Sequence, residues 1–248
     1  MTRVAVLGAK GRMGSESVGA LTAAEGIEVV AEIDLGDPLD ALTAAGAEVV
    51  LDFTNPSAVM DNLHWCIDHG IYAVIGTSGF SDERVAEVRG WLGDNPSVGV
   101  LVVPNFSIGA VLMMRFSAIA APFFESVEVI ELHHPDKVDA PSGTATRTAE
   151  LIAAARAAAG SAAIPDATTD DPDGARGASV EGIAVHAVRA RGLVASQEVL
   201  FGGAGETLSI RHDSIHRESF MPGVVAAVRG VVGTTGVTVG LDSILGLT

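Results

Sequence analysis

Residues 3–14 read RVAVLGAKGRMG. Arg3–Leu7 is an apolar, β-branched run that predicts a strand, and Arg12 to about Ala24 predicts a helix. Between them Gly8-Ala9-Lys10-Gly11-Arg12-Met13-Gly14 spaces its glycines as GxxGxxG. A strand that turns through glycines into a helix opens a βαβ unit. Glycine permits the tight turn and brings the backbone close to a pyrophosphate, which rests on the helix N-terminus. The next strand is Glu28–Ile33. Asp34 stands at its end, where an acid can accept hydrogen bonds from a ribose. Together these features predict dinucleotide binding. The competing reading is a glycine turn of purely structural meaning. Lys10 and Arg12 lie beside the phosphate path.

The pattern continues outward. Glu48–Phe53, Tyr72–Gly76 and Val98–Val103 read as strands. Ser57–His69, with Val59, Leu63 and Ile67 on one face, and Asp82–Leu92 read as helices. Strands joined by helices predict a parallel sheet. Gly76-Thr77-Ser78-Gly79-Phe80 and Val103-Pro104-Asn105-Phe106 close two of these strands, at the carboxyl ends where open α/β sheets bind ligands. After Phe106 the pattern changes. A helix over about Gly109–Ala120, a strand Val127–His133 and a helix Thr144–Ala159 precede a loop, Ile164–Ala178. Three strands without intervening helices follow: Ile183–Arg189, Leu193–Phe201 and Thr207–His212. A last helix is expected over Ser219–Val232. The fold class predicted is α/β: a Rossmann-type dinucleotide-binding domain over 1–106 and 216–248, and a smaller α+β domain with a mixed sheet over 107–215. The sheet of the second domain should pack one face on its own helix and need a cover for the other.

The chain has 248 residues, with 15 basic against 31 acidic side chains and a net charge of −16. That balance excludes nucleic acid and anionic membrane surfaces as natural partners, since both demand clustered Lys and Arg. The one cysteine, Cys66, excludes an intrachain disulfide and a Cys-rich zinc site, and fits a reducing compartment. The apolar run Val4–Ala9 stops at Lys10, too short for a signal peptide. Val98–Phe124 is interrupted by Pro104, Asn105 and Arg115. A soluble, cytoplasmic protein is expected.

The second constellation is ELHHPDKVDAPSGTA, residues 131–145. His133, His134 and Lys137 close a strand, and Ser142-Gly143-Thr144 opens a helix. Ser142 is a plausible N-cap, and the N–H groups behind it can hold a carboxylate. Lys137 supplies positive charge, and a histidine beside such a site suits proton donation. Adjacent strand histidines point to opposite faces, so no metal site is expected. Each of these residues also has a bland reading as a surface or structural group. His64 and His69 read as solvated, His186 and His212 as ordinary hydrogen-bonding residues, Trp65 and Trp91 as packing, and Cys66 as inert.

The glycine loop 8–14, Gly-Thr-Ser-Gly-Phe at 76–80, Pro104-Asn105-Phe106 and above all the HHxxKxDAPSGTA run resemble the dihydrodipicolinate reductases. The resemblance implies NAD(P)H-dependent reduction of a cyclic imine dicarboxylate to tetrahydrodipicolinate, in lysine and diaminopimelate biosynthesis, by a homotetramer. It implies His133 and Lys137 as the catalytic pair. It implies His134, Ser142, Gly143, Thr144 and, less directly, Arg217 at the substrate. For the cofactor it implies Gly8, Ala9, Lys10, Gly11, Arg12, Met13, Asp34, Gly76, Thr77, Ser78, Val103, Pro104, Asn105 and Phe106. Asp34 should repel a 2′-phosphate and Lys10 and Arg12 attract one, so both NADH and NADPH are expected, with a lean toward NADH. The alternatives are another dehydrogenase on the same fold and a non-enzymatic dinucleotide sensor.

Overall fold

The computed structural model describes residues 1–247. The chain divides into two compact units, Met1–Ile108 with Arg217–Thr248, and Gly109–His216.

The first unit is a doubly wound, Rossmann-like α/β sheet. Its strands are β1 (Thr2–Leu7), β2 (Ile27–Ile33), β3 (Val49–Asp52), β4 (Tyr72–Ile75), β5 (Gly99–Val102) and β11 (Gly236–Val239), ordered β11-β5-β4-β3-β1-β2 and all parallel. The helices are α1 (Arg12–Ala23), α2 (Asp40–Ala44), α3 (Val59–Asp68), α4 (Asp82–Leu92) and α7 (Met221–Val231). Val4, Ala5, Val6 and Leu7 are all buried. Successive strand residues face opposite ways, so β1 is covered on both faces, which is why it reads as an unbroken apolar run. On one face Ala5, Leu7 and Val50 meet Leu42 of α2 and Cys66 of α3, and Ala73, Ile75 and Val100 meet Val59, Leu63 and Val88. Helices α1 and α7 pack on the other. The sequence patterns predict neither α2 nor β11. Burial of Leu42 explains the first, and parallel pairing of β11 with β5 the second. The order of strands reverses between β3 and β2 across β1, a topological switch at whose carboxyl end a ligand crevice forms.

The second unit holds α5 (Ile108–Ala120), β6 (Ser126–His133), α6 (Gly143–Ala158), β7 (Ala178–Val180), β8 (Ile183–Arg189), β9 (Ala195–Gly203) and β10 (Glu206–Ser214). The sheet order is β10-β9-β6-β8-β7. It is mixed: β6 runs parallel to β8 and antiparallel to β9. Val127, Val129, Val185, Val199 and Phe201 bury against Ala145, Ala149 and Ile152 of α6. Arg156 locks the end of α6 by donating to the carbonyls of Ala121, Phe124, Glu125 and Ala162. The expected 164–178 loop is irregular up to residue 177, and the short edge strand β7, which the sequence did not predict, follows it and pairs antiparallel with β8.

Among the described residues no helix is long and apolar enough to cross a membrane. His64 and His69 are not simply solvated: they stack on Trp91 and Trp65, with ring centroids 4.5 Å and 3.7 Å apart.

Candidate active site

The glycine loop is built by close approach. Gly8 has φ +75°, and a Cβ there would lie 2.7 Å from the Phe53 carbonyl oxygen. Gly14, in the first turn of α1, presses on Gly8, since a Cβ on it would lie 2.1 Å from the Gly8 oxygen. Gly11 caps α1 without any side-chain hydrogen bond, and no acidic residue occupies the first turn. The start of α1 is therefore bare backbone with its N–H groups and dipole facing outward, the geometry that accepts an anion. Ala9 is buried, Lys10 and Arg12 are exposed and Met13 is half-buried. These residues fit a dinucleotide pyrophosphate.

Asp34 follows β2. Its Oδ1 accepts from Leu35 N and its Oδ2 from Lys10 N, both at 2.8 Å. Those two backbone bonds, Leu35 first, hold its carboxyl below the usual range. Each oxygen keeps a second acceptor site for a ribose hydroxyl. Asp34 also fixes the glycine loop, a role its sequence position did not disclose.

Beyond β4, Gly76 is bare because the Phe53 and Phe106 rings fill the space beside it, 5.4 Å apart. Thr77 is buried and donates to Asp52 Oδ1 at 2.8 Å. Ser78 and Pro104 are exposed, while Val103 and Phe106 are core residues. Asn105 Oδ1 accepts from Ser107 N at 2.8 Å. Asp52, fully buried, also accepts from Thr54 N, Thr54 Oγ1 and Asn62 Nδ2. The sequence reading passed over this carboxylate, which ties the ends of β3 and β4 together.

In the second unit β6 ends at His133, and its Nδ1 lies 2.6 Å from Glu131 Oε2. Lys137 Nζ donates to Asp139 Oδ1 at 2.7 Å, so it is paired rather than free. That lysine holds the Asp139 carboxyl low. His134 is half-buried. Ser142 caps α6 as expected, its Oγ accepting from Ala145 N at 3.2 Å. A Cβ on Gly143 would meet nothing within 4 Å, so a ligand has room there, and Thr144 follows it in the first turn. Burial pushes the His133 imidazole below its ordinary value, against the pull of Glu131. The structure thus groups His133, His134, Lys137, Ser142, Gly143 and Thr144 in one unit. Arg217 lies in the other, exposed in a 3₁₀ turn, Arg217–Phe220.

The dihydrodipicolinate reductase N-terminus family model matches residues 2–106, and the C-terminus model matches residues 109–245. The chain belongs to the dihydrodipicolinate reductase family. It is 63% identical over 245 residues to the 4-hydroxy-tetrahydrodipicolinate reductase of Streptomyces griseus, covering 99% of this chain and 98% of that one. It is 60% identical over 247 residues to that of Cutibacterium acnes, covering the whole of both. The dipicolinate-bound dihydrodipicolinate reductase from Paenisporosarcina sp. TG-14 superposes with a TM-score of 0.87 at 38% identity, over 98% of this chain and 99% of that one. The reaction of the dihydrodipicolinate reductases is the NAD(P)H-dependent reduction of 4-hydroxy-tetrahydrodipicolinate to tetrahydrodipicolinate, in lysine and diaminopimelate biosynthesis, and this chain is an oxidoreductase of that family.

Proposed function

We propose that this chain carries out that reduction with the labour divided between its two units. The dinucleotide is held by Gly8, Ala9, Lys10, Gly11, Arg12, Met13, Asp34, Gly76, Thr77, Ser78, Val103, Pro104, Asn105 and Phe106. The cyclic dicarboxylate is held by His134, Ser142, Gly143 and Thr144. The carrying observation is His133, anchored on Glu131, in one short stretch with Lys137 and an α6 start open at Gly143. A dinucleotide sensor has no use for that cluster, and a dehydrogenase of a neutral substrate has no use for its anion-holding helix start.

The bound nicotinamide supplies the hydride. The 4-hydroxyl of the substrate leaves as water, and the electron pair that hydride addition at that position displaces onto the neighbouring ring carbon takes up one proton. Because ionised Glu131 accepts from His133 Nδ1, that nitrogen carries hydrogen, and Nε2 is the atom that exchanges the proton. Lys137 draws in the dianion and assists protonation. The first-turn N–H groups of α6 hold one carboxylate. The direct test is absorbance of NADH with and without the cyclic imine generated in place by its synthase. Oxidation that ignores the imine overturns the reading.

Cofactor preference follows from Asp34 against Lys10 and Arg12. Exposed charge pairs are worth about 0–1 kcal/mol each, and about 1.4 kcal/mol is needed per tenfold. Both cofactors should be used, with kcat/KM within about tenfold and a lean toward NADH. Asp34→Ala should move the ratio toward NADPH, and Lys10→Ala toward NADH. Asp34 also holds Lys10 N, so affinity for both should fall in the first variant, and the ratio is the quantity to measure. A parent preference of several hundredfold, or an unmoved ratio, would sink this assignment.

Assembly follows from the sheet face turned away from α6. Ile130 and Leu132 of β6 are half-buried, and Val188 and Leu200 are 38% and 40% exposed. Around them lie ion pairs of Glu128 with Arg176 and His186, and of Glu198 with Arg211. We propose that this face is covered by the same face of other copies, as a homotetramer. Light scattering at micromolar concentration should return about four chain masses, and a mass near 25.2 kDa would refute it.

A further inference from the structure

The most heavily hydrogen-bonded carboxylate in the second unit is Glu131, and none of it touches solvent. Oε2 takes His133 Nδ1 at 2.6 Å and Arg189 Nη1 at 2.7 Å. Oε1 takes Arg189 Nη2 at 2.8 Å and Ser142 N at 3.1 Å. Four donors fill the four lone-pair sites of a carboxylate. Arg189 faces His133 across the parallel β6–β8 pairing. Its Nη2 also donates to the Asp139 carbonyl at 2.8 Å, inside the segment that carries Lys137.

A buried ion pair is a poor way to stabilise a fold, because desolvation offsets most of the Coulomb gain and apolar residues of the same volume often do as well. The placement here has a different logic. The donors to Glu131, apart from Arg189 itself, are His133 and the residue that caps α6. Glu128 makes a comparable pairing, with Arg176 and His186, but on the face of the sheet opposite Glu131 and His133.

We propose that Glu131 and Arg189 are positioning residues for the reduction, fixing the tautomer and ring plane of His133 while pinning the Lys137 segment and the start of α6 to the same carboxylate. The proposal rests on the reading that His133 exchanges a proton with the substrate. The charges that face His133 are Glu131 on its own strand, Arg189 on β8 and Lys137 on the following segment, itself paired with Asp139. Glu131 favours the imidazolium and the two cations oppose it, while burial opposes it most. Removing Glu131 and removing Arg189 therefore move His133 in opposite directions.

The test uses the full chain. Glu131→Gln should lower kcat by about 10²-fold or more, since a histidine left without its orienting carboxylate loses up to about 10⁴ in a comparable triad. The dinucleotide Kd should not move. The NMR titration of His133, read without cofactor, should shift to lower pH, and the alkaline limb of kcat should shift with it. Arg189→Ala should also lower kcat but shift both toward higher pH. Because the directions oppose, either variant decides the matter if the other does not fold. Loss of kcat with an unmoved His133 titration means that the pair only stabilises the fold, and overturns the proposal, as does an unchanged kcat. His133→Ala separates the two levels. If it keeps kcat, the reading of His133 as the proton-exchanging group fails. If it loses kcat while Glu131→Gln does not, the positioning role alone fails.

Discussion

Lys137→Ala is expected to lower kcat by about 10²–10⁴-fold, the contribution of one well-placed acid–base group, while leaving the NADH dissociation constant nearly unchanged. The ion pair with Asp139 does not weaken this expectation. The lysine side chain is 20% exposed and the aspartate 52%, and pairs of that kind are worth about 0–1 kcal/mol. A substrate with two carboxylates competes for Nζ easily. With the lysine gone, Asp139 remains as an unpaired negative charge facing the incoming dianion, so KM should rise as kcat falls. The residues proposed to hold the dinucleotide lie in the other unit of the chain, which is why the two effects should separate. His133→Ala should give a fall of similar size and flatten the pH profile, because the titrating imidazole is lost. Steady-state kinetics with both substrates, together with direct titration of NADH, checks both variants. A Lys137→Ala enzyme that kept its kcat and lost NADH affinity would reverse the division between cofactor and substrate residues.

The parts of this protein legible in its sequence are those where local chemistry decides. The GxxGxxG turn, the apolar strands β1, β3, β4 and β5, and the Ser142 cap of α6 each follow from a few adjacent residues. The missed elements depend on partners. β11, GVTV, is four residues long and becomes a strand by pairing with β5. α2 is five residues held by Leu42 in the core. Glu131 is the instructive case, because a signal was present. In VEVIELH the buried apolar positions are Val127 and Val129, and period-two alternation puts Glu131, equally buried, on their side of the sheet. A carboxylate in phase with buried valines needs a partner, and the neighbouring His133 is only one of them. Arg189 could not be found this way, since its partnership requires the parallel β6–β8 pairing. Asp52 is hidden for the same reason: an acid ending an apolar strand looks like the start of a loop until Thr54, Asn62 and Thr77 converge on it.

Gly14→Ala is expected to cost dinucleotide binding at least tenfold and to destabilise the chain, against the ordinary preference of helices for alanine. In a helix interior that exchange usually gains about 1 kcal/mol. Here the added Cβ would sit 2.1 Å from the Gly8 oxygen, 2.8 Å from its carbonyl carbon and 2.9 Å from Ala9 Cα. All three are backbone atoms, so no side chain can turn aside. The first turn of α1 must move off the strand-to-helix turn, and overpacking of this kind costs about 1–3 kcal/mol. The displaced atoms are the N–H groups proposed to hold the pyrophosphate, so the loss falls on affinity as well as on stability. Gly19, farther along α1, supplies the control, because a Cβ there meets nothing within 4 Å. Gly19→Ala should therefore raise the melting temperature, by about 2–4 °C for each kcal/mol gained, and bind NADH as the parent does. Calorimetric titration with NADH and thermal melts of the two variants make the comparison. Binding of dipicolinate to Gly14→Ala should survive, since Ser142, Gly143 and Thr144 belong to the other unit. A Gly14→Ala protein that bound NADH like the parent would mean that the start of α1 does not carry the pyrophosphate.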